Sequence, residues 1–363
     1  MLHLQEFIKN HDNWEELLNK EPYCINIKRK DNRILFKYNI LSSDFNNQIV
    51  KECRGLILED VTFNVLCCPF YKFGNYGEGY VPEIDWDNCR VQEKIDGTLI
   101  NMYYYNGKWC ISTTGCIDAS DANLPTNLKY KNFGDLFMSA CARNNLDLHN
   151  LSINNTYMFE LVSPYNQVVI KYNNIDIYHL STRNNITLQE QVDDIGIKHP
   201  QEYSLHSLDD CIEFVKTFKG HEGFVVVDNK WNRIKVKNPA YVAMHHTINN
   251  HTLTLERIID IQESGNEDEF LNYFPEYVDD FWDITCLTDC TIEDIQETLD
   301  KLKTMCYNTR KEQAEYLLTT NFAQAGFMYL NGKCDDSISY WNSLTTARKA
   351  KLLTMYKPKF LQK

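Results

Sequence analysis

Residues 93–105 read EKIDGTLINMYYY, a polar turn that opens straight into an extended run. Asp96 and Gly97 are turn-forming residue types, whereas Thr98 to Tyr105 is rich in the β-branched and aromatic side chains that suit a pleated surface. A strand entered through such a turn fits two uses. In one, the turn lies on the surface and Lys94 is solvated. In the other, Lys94 is a reacting amine, which must be deprotonated and is made so when burial or neighbouring cations lower its pKa. Gly97 would then let the backbone approach a nucleotide closely, and Asp96 is expected to turn the loop through its own backbone. Lys94 could in that case attack a phosphorus atom.

Short β-rich runs bounded by Gly, Asn and Asp continue on both sides of this stretch. They are RILFKYNI from Arg33, RGLILED from Arg54, KWCISTT from Lys108, TYMFELV from Thr156, VVIKY from Val168, IDIYHL from Ile175, EGFVVVD from Glu222 and RIKVK from Arg233. Bounded runs of this kind predict packed antiparallel strands. Helical spacing of apolar residues appears at Phe133 to Arg143 and Leu208 to Phe218. After His245 the pattern becomes helical, at Leu253 to Ile261, Ile292 to Met305, Arg310 to Thr319 and Ser343 to Met355. The expectation is an α+β domain over residues 1–246, with sheets and flanking helices, and an all-α domain over 247–363.

The chain of 363 residues is long enough for two cores, and 43% hydrophobic with 24% charged residues is an ordinary globular balance. No export signal and no run of roughly 18 apolar residues is present, so a cytoplasmic protein without a membrane span is expected. Thirteen scattered cysteines without paired short spacings predict reduced thiols rather than a zinc site. A net charge of −13 argues against sequence-independent binding along duplexes, although a local basic channel remains compatible with it. The basic end from Arg348 to Lys363, with Tyr356 and Phe360 among its lysines, suits phosphate contact with base stacking. It equally suits a helix packed through Leu352, Leu353 and Met355.

The lysine stretch has ordered company. Glu52-Cys53-Arg54-Gly55 and Lys72-Phe73-Gly74-Asn75 precede it, and MFELVSP from Met158, Glu222-Gly223-Phe224-Val225 and Ile234-Lys235-Val236-Lys237 follow it. Alternation along a strand puts Lys235 and Lys237 on one face, where two cations can meet one polyphosphate. With these residues in order, Tyr38 to His246 resembles the covalent nucleotidyltransferases, and within them the phage-type RNA ligase 1 family. KIDG, MFELVSP, EGFVVV and IKVK resemble its motifs I, IIIa, IV and V, while ECRG, KFGN and Tyr241 are similar to the RNA ligase 1 branch in particular.

The resemblance implies a nucleotidyltransferase (ligase) fold and an ATP-dependent RNA ligase acting through lysyl-AMP on Lys94. It implies phosphate contacts from Lys235 and Lys237, ribose or metal-water contacts from Glu160 and Glu222, and Mg²⁺ or Mn²⁺ as cofactor. Tyr38, Arg54 and Lys72 would line the nucleotide side, and Asp268 in the Glu267-Asp268-Glu269 run stands where a further metal-contacting carboxylate is expected, although a solvated helix-start charge run also fits. Partners would be RNA with 5′-phosphate and 3′-hydroxyl ends, such as broken tRNA, handled by a monomer that is virus- or phage-encoded. The helical domain would select the RNA. Two departures stand out. The segment Ser112-Thr113-Thr114-Gly115 lacks a lysine the family often carries, and Gly74 replaces a second aromatic. DNA ligases and capping guanylyltransferases share the lysine chemistry but append a β-barrel where this chain turns helical. A catalytically dead RNA-binding module is the other alternative, against which the intact Lys94, Glu160, Glu222, Lys235 and Lys237 argue.

Overall fold

The computed structural model describes residues 1–124, 129–250, 253–263, 267, 271, 277–304 and 309–360, the side chains of 246–250 and 356–360 aside. The chain divides into two compact units, Met1–Tyr241 and Val242–Lys363, a little before the boundary expected after His246.

Among the described residues, the first unit has thirteen strands in three antiparallel sheets. One sheet has the order β1-β2-β3-β4, from Ile25–Lys30, Arg33–Tyr38, Arg54–Glu59 and Val65–Cys67. The second, β10-β9-β8-β6-β7, is made from Glu190–Gln191, Asp176–Asn184, Asn155–Val162, Thr98–Tyr105 and Lys108–Thr113. The third, β11-β5-β12-β13, is made from Glu202–Tyr203, Cys89–Glu93, Gly223–Asp228 and Arg233–Lys237.

Strand β6 explains why two of these sheets pack together. Its alternate residues Ile100 and Met102 enter a core with Leu136, Phe137 and Ala140 of the helix Phe133–Arg143. Tyr103 faces the opposite way, into a core with Leu35 and Ile57 of the first sheet. A strand buried on both faces reads as a nearly continuous apolar run, as TLINMYYY does. The helix begins where Asn132 accepts a hydrogen bond from the Asp135 amide at 2.8 Å. Likewise, Ser207 caps Leu208–Thr217, whose Cys211 and Val215 pack on Phe224, Val226 and Ile234 of the third sheet.

One expected strand is absent. VVIKY lies in bends, because the amides of Val169 and Ile170 donate to the Asp96 carboxylate at 2.9 and 2.6 Å instead of joining a ladder.

In the second unit the described residues form helices and no strand. The longest helix, Val278–Thr304, starts well before the expected Ile292, because Phe281, Ile284, Leu287, Thr291, Ile295 and Leu299 continue one buried stripe at helical spacing. Asp279, Asp280 and Asp283 lie beside the stripe in its first turns. Short helices at Ala323–Leu330 and Ser337–Asn342 were not foreseen. Among the described residues no helix is long and apolar enough to cross a membrane.

Candidate active site

Lys94 leaves β5, and its backbone N–H donates to the Gly223 carbonyl at 2.8 Å. The start of β12 is thereby laid against the lysine. Gly223 has φ +131°, and a Cβ there would collide with the Val236 carbonyl, so only glycine allows this approach. The neighbouring Glu222 is buried beneath the lysines. Its Oε2 accepts from Lys94 Nζ at 2.6 Å and its Oε1 from Lys237 Nζ at 2.9 Å. Burial opposes ionisation of Glu222, but the two ammonium groups outweigh it and hold its pKa below the usual carboxylate value.

Lys94 departs from the expectation of a lowered pKa. Burial pulls it down, yet Glu222, Glu160 and Asp96 together leave it raised, so without nucleotide it is a held ammonium. Lys235, by contrast, is depressed, moved to about 6 by burial and by the cations Arg54, Lys72, Lys94 and Lys237. Glu160 on β8 is pushed up to about 8, by burial first and by Glu222 as well, against the pull of Lys94. Near neutral pH both Lys235 and Glu160 therefore favour their uncharged forms.

A cavity of about 320 Å³ is lined by Arg54, Lys94, Gly97, Glu160, Lys235 and Lys237, together with Phe73, Thr114 and Arg233. Strand alternation does place Lys235 and Lys237 on it together. Arg54, at the start of β3, has its Nη1 buried without a protein partner, and its guanidinium lies 5.2 Å from the centre of the Phe73 ring. Thr114 offers a hydroxyl in the segment that lacks the lysine.

Several residues play parts other than those foreseen. Asp96 does not turn its own loop. It is buried, accepting from Val169, Ile170 and the Tyr241 hydroxyl, the last at 2.7 Å, so it ties the lysine loop to two distant segments. Gly97 does border the cavity, but a Cβ there would meet the Leu161 carbonyl at 2.5 Å, so its smallness is required by packing on β8. Tyr38 and Lys72 are not on this cavity. Lys72 is half-buried among the rings of Tyr38, Phe45 and Tyr80, at 5.6, 4.9 and 5.8 Å from their centres. A Cβ at position 74 would meet the ends of the Glu78 and Tyr80 side chains, which would have to shift to admit an aromatic there. Asp268 lies outside the described residues.

No role was read from the sequence for Phe73, whose ring centre lies 4.9 Å from Lys235 Nζ, or for Arg233. Phe73 was within sight inside KFGN, whose Gly74 carbonyl accepts from the Lys235 amide at 2.9 Å. Among the described residues no three His, Cys, Asp or Glu side chains converge on a metal-sized site. Glu160 and Glu222 fit a divalent ion only in company with water and phosphate oxygens, which is how Mg²⁺ is commonly held.

In the second unit, Lys349 of the basic end is buried and donates to Glu263 at 2.5 Å, with Nζ 5.6 Å from the Trp341 ring centre. Leu353 is buried, Met355 is exposed, and Arg348 and Lys351 face solvent.

A family model described as RNA ligase matches residues 52–241, the segment that carries the whole cavity. A protein of Autographa californica nuclear polyhedrosis virus named as a bifunctional polynucleotide kinase/RNA ligase is 30% identical over 76% of this chain and 42% of its own length. The chain thus spans less than half of that relative. An RNA ligase of Rhodothermus phage RM378 is 28% identical over 70% of this chain and 73% of its own. The solved structure of an archaeal ATP-dependent RNA ligase covers 92% of this chain and 100% of its own at 10% identity, with a TM-score of 0.48 too low to bear on the site.

Proposed function

Because the chain belongs to the RNA ligase family whose model spans more than half of it, we propose that it is an ATP-dependent enzyme sealing RNA 5′-phosphate ends to 3′-hydroxyl ends. The observation that carries this reading is the shared carboxylate. Glu222 holds Lys94 and Lys237 together at a cavity that also gathers Lys235, Arg54 and Glu160.

In the first step Lys94 Nζ, freed of a proton, forms a bond to the α-phosphorus of ATP as the bond to the β-phosphate oxygen breaks and pyrophosphate leaves. Lys235, Lys237 and Arg54 offset the charge that gathers on the departing phosphates. Glu222 keeps Lys94 in place until the phosphates draw Lys237 away. The AMP then passes to the RNA 5′-phosphate, and the 3′-hydroxyl displaces it. Mg²⁺ or Mn²⁺, held through water by Glu160 and Glu222, would supply positive charge on the phosphate oxygens. Free thiols among the described cysteines suit a reducing, cytoplasmic setting. The helical unit chooses the RNA, with repair of broken RNA or tRNA as the task of a monomer.

The test is sealing of 5′-phosphorylated open strands, nicked duplexes and broken tRNA stem-loops with ATP and Mg²⁺. Joining that requires the 5′-phosphate supports the reading. Joining that persists with a 5′-hydroxyl, or with GTP alone, contradicts it.

A further inference from the structure

Beside the cavity at Lys94 lies a larger one of about 590 Å³, and Phe73 and Arg233 form part of the wall of both. Its charged lining is Lys51, Lys72, Arg183, Lys230 and Arg233 against the single carboxylate Glu190. That carboxylate is already consumed. Arg183 donates to its Oε2 at 2.8 Å, and Arg233 donates to both of its oxygens. Two buried guanidiniums on one carboxylate leave a fixed excess of positive charge, and Arg183 Nε is buried without a partner. Such an arrangement calls for an anion from outside.

At the rim, the turn between β12 and β13 presents Lys230 and Trp231 to the same cavity. Trp231 has φ +65°, a conformation that bulky side chains rarely adopt. Asp228 holds the turn by accepting from the Lys230 and Asn232 amides, both at 2.9 Å. A strained backbone that keeps an aromatic ring and a lysine at a basic cavity is a reason to look for a ligand with both phosphate and a flat face.

We propose that this second cavity is the groove for the backbone of the RNA strand being sealed, with phosphates on its cations and a base against Trp231. The inference rests on the ligase reading above and adds where the strand runs from the lysine.

The test uses the full-length chain, pre-loaded with AMP, and a fluorescent 5′-phosphorylated single-stranded RNA. Lys230→Glu should weaken RNA binding about tenfold or more and flatten its salt dependence. Trp231→Gly, which relieves the strained φ, should weaken it with little change in salt slope. Label transfer from ATP should be unchanged in both. RNA affinity equal to wild type in both variants would overturn the groove. So would unchanged RNA affinity with weaker inhibition of label transfer by pyrophosphate, which would assign the cavity to the leaving group. A wild-type chain that takes label but binds no RNA sinks the groove alone, whereas one that takes no label brings down the ligase reading with it.

Discussion

Lys94 reaches Glu222 across 128 positions of sequence, and the carboxylate it meets is 4% exposed. In the helical unit, Lys301 with Glu297, Lys303 with Asp300 and Lys311 with Glu315 pair three or four residues apart on open helix faces. Exposed helix pairs of that kind contribute roughly 0.3–0.5 kcal/mol each and serve mainly to keep the surface wet. Buried charges are expensive to gather, and replacing them by apolar groups often stabilises a protein, so their retention points to chemistry. Among the described pairs of the helical unit, Lys349 with Glu263 is the exception, a long-range pair with a buried lysine and a carboxylate open to solvent, which fastens the last helix rather than forming a site. The contrast shows that the number of charges says little, and that how far the chain had to travel to pair them says more.

The contrast should fail first at Glu222. Replacing it by Ala leaves two lysines facing each other and should lower label transfer from ATP about a hundredfold or more, with a loss of roughly 3 kcal/mol in stability. Label transfer near wild type in folded Glu222→Ala would remove the distinction between the two kinds of pair.

Lys235 tests the electrostatics of the same site. Its pKa of about 6 leaves it neutral at pH 7.5, and bound phosphates should recharge it. Nucleotide binding is therefore expected to take up as much as one proton, seen as a dependence of calorimetric heat on buffer ionisation. Lys235→Ala should abolish the uptake and slow label transfer about tenfold to a hundredfold. Uptake that survives in the variant would place the depressed amine elsewhere.

Glu160 gives a smaller effect with a defined sign. Its folded pKa of about 8 lies above the ordinary value of 4.5, so the folded state binds the proton more tightly. The stability this provides is full below about 4.5 and is lost as pH rises to about 8. Glu160→Gln should flatten the pH dependence of urea-unfolding stability over that window. An unchanged pH slope would assign the dependence to another group. Least affected should be Glu297→Ala, with a change within about 0.5 kcal/mol in unfolding and none in label transfer.

How much of this was readable in advance follows the same division. Strand alternation put Lys235 and Lys237 on one face, because the spacing of a strand is local, whereas Glu160 and Glu222 were joined to them only through the family resemblance. The core helices were legible from apolar spacing. What the sequence withheld depends on contacts between distant segments. VVIKY has strand composition, but the Asp96 carboxylate takes its amides. The resemblance puts Lys72 on the nucleotide side, and its packing among three rings beside the neighbouring cavity is visible only in the fold. Gly97 looks like room for a ligand, yet the room belongs to the Leu161 carbonyl. The raised pKa of Lys94 depends on Glu222, Glu160 and Asp96 meeting it in space, which no single segment reveals.

On the proposed function, Lys94 is the amine that carries AMP. Wild-type protein and Lys94→Ala, each shown to be folded by its melting curve, are incubated with ATP labelled at the α-phosphate and Mg²⁺, denatured, and mapped by peptide digestion. One acid-labile label is expected on the peptide containing Lys94 in the wild type and none in the variant. Label retained by Lys94→Ala, or found on Lys235 or Lys237 in the wild type, would contradict it.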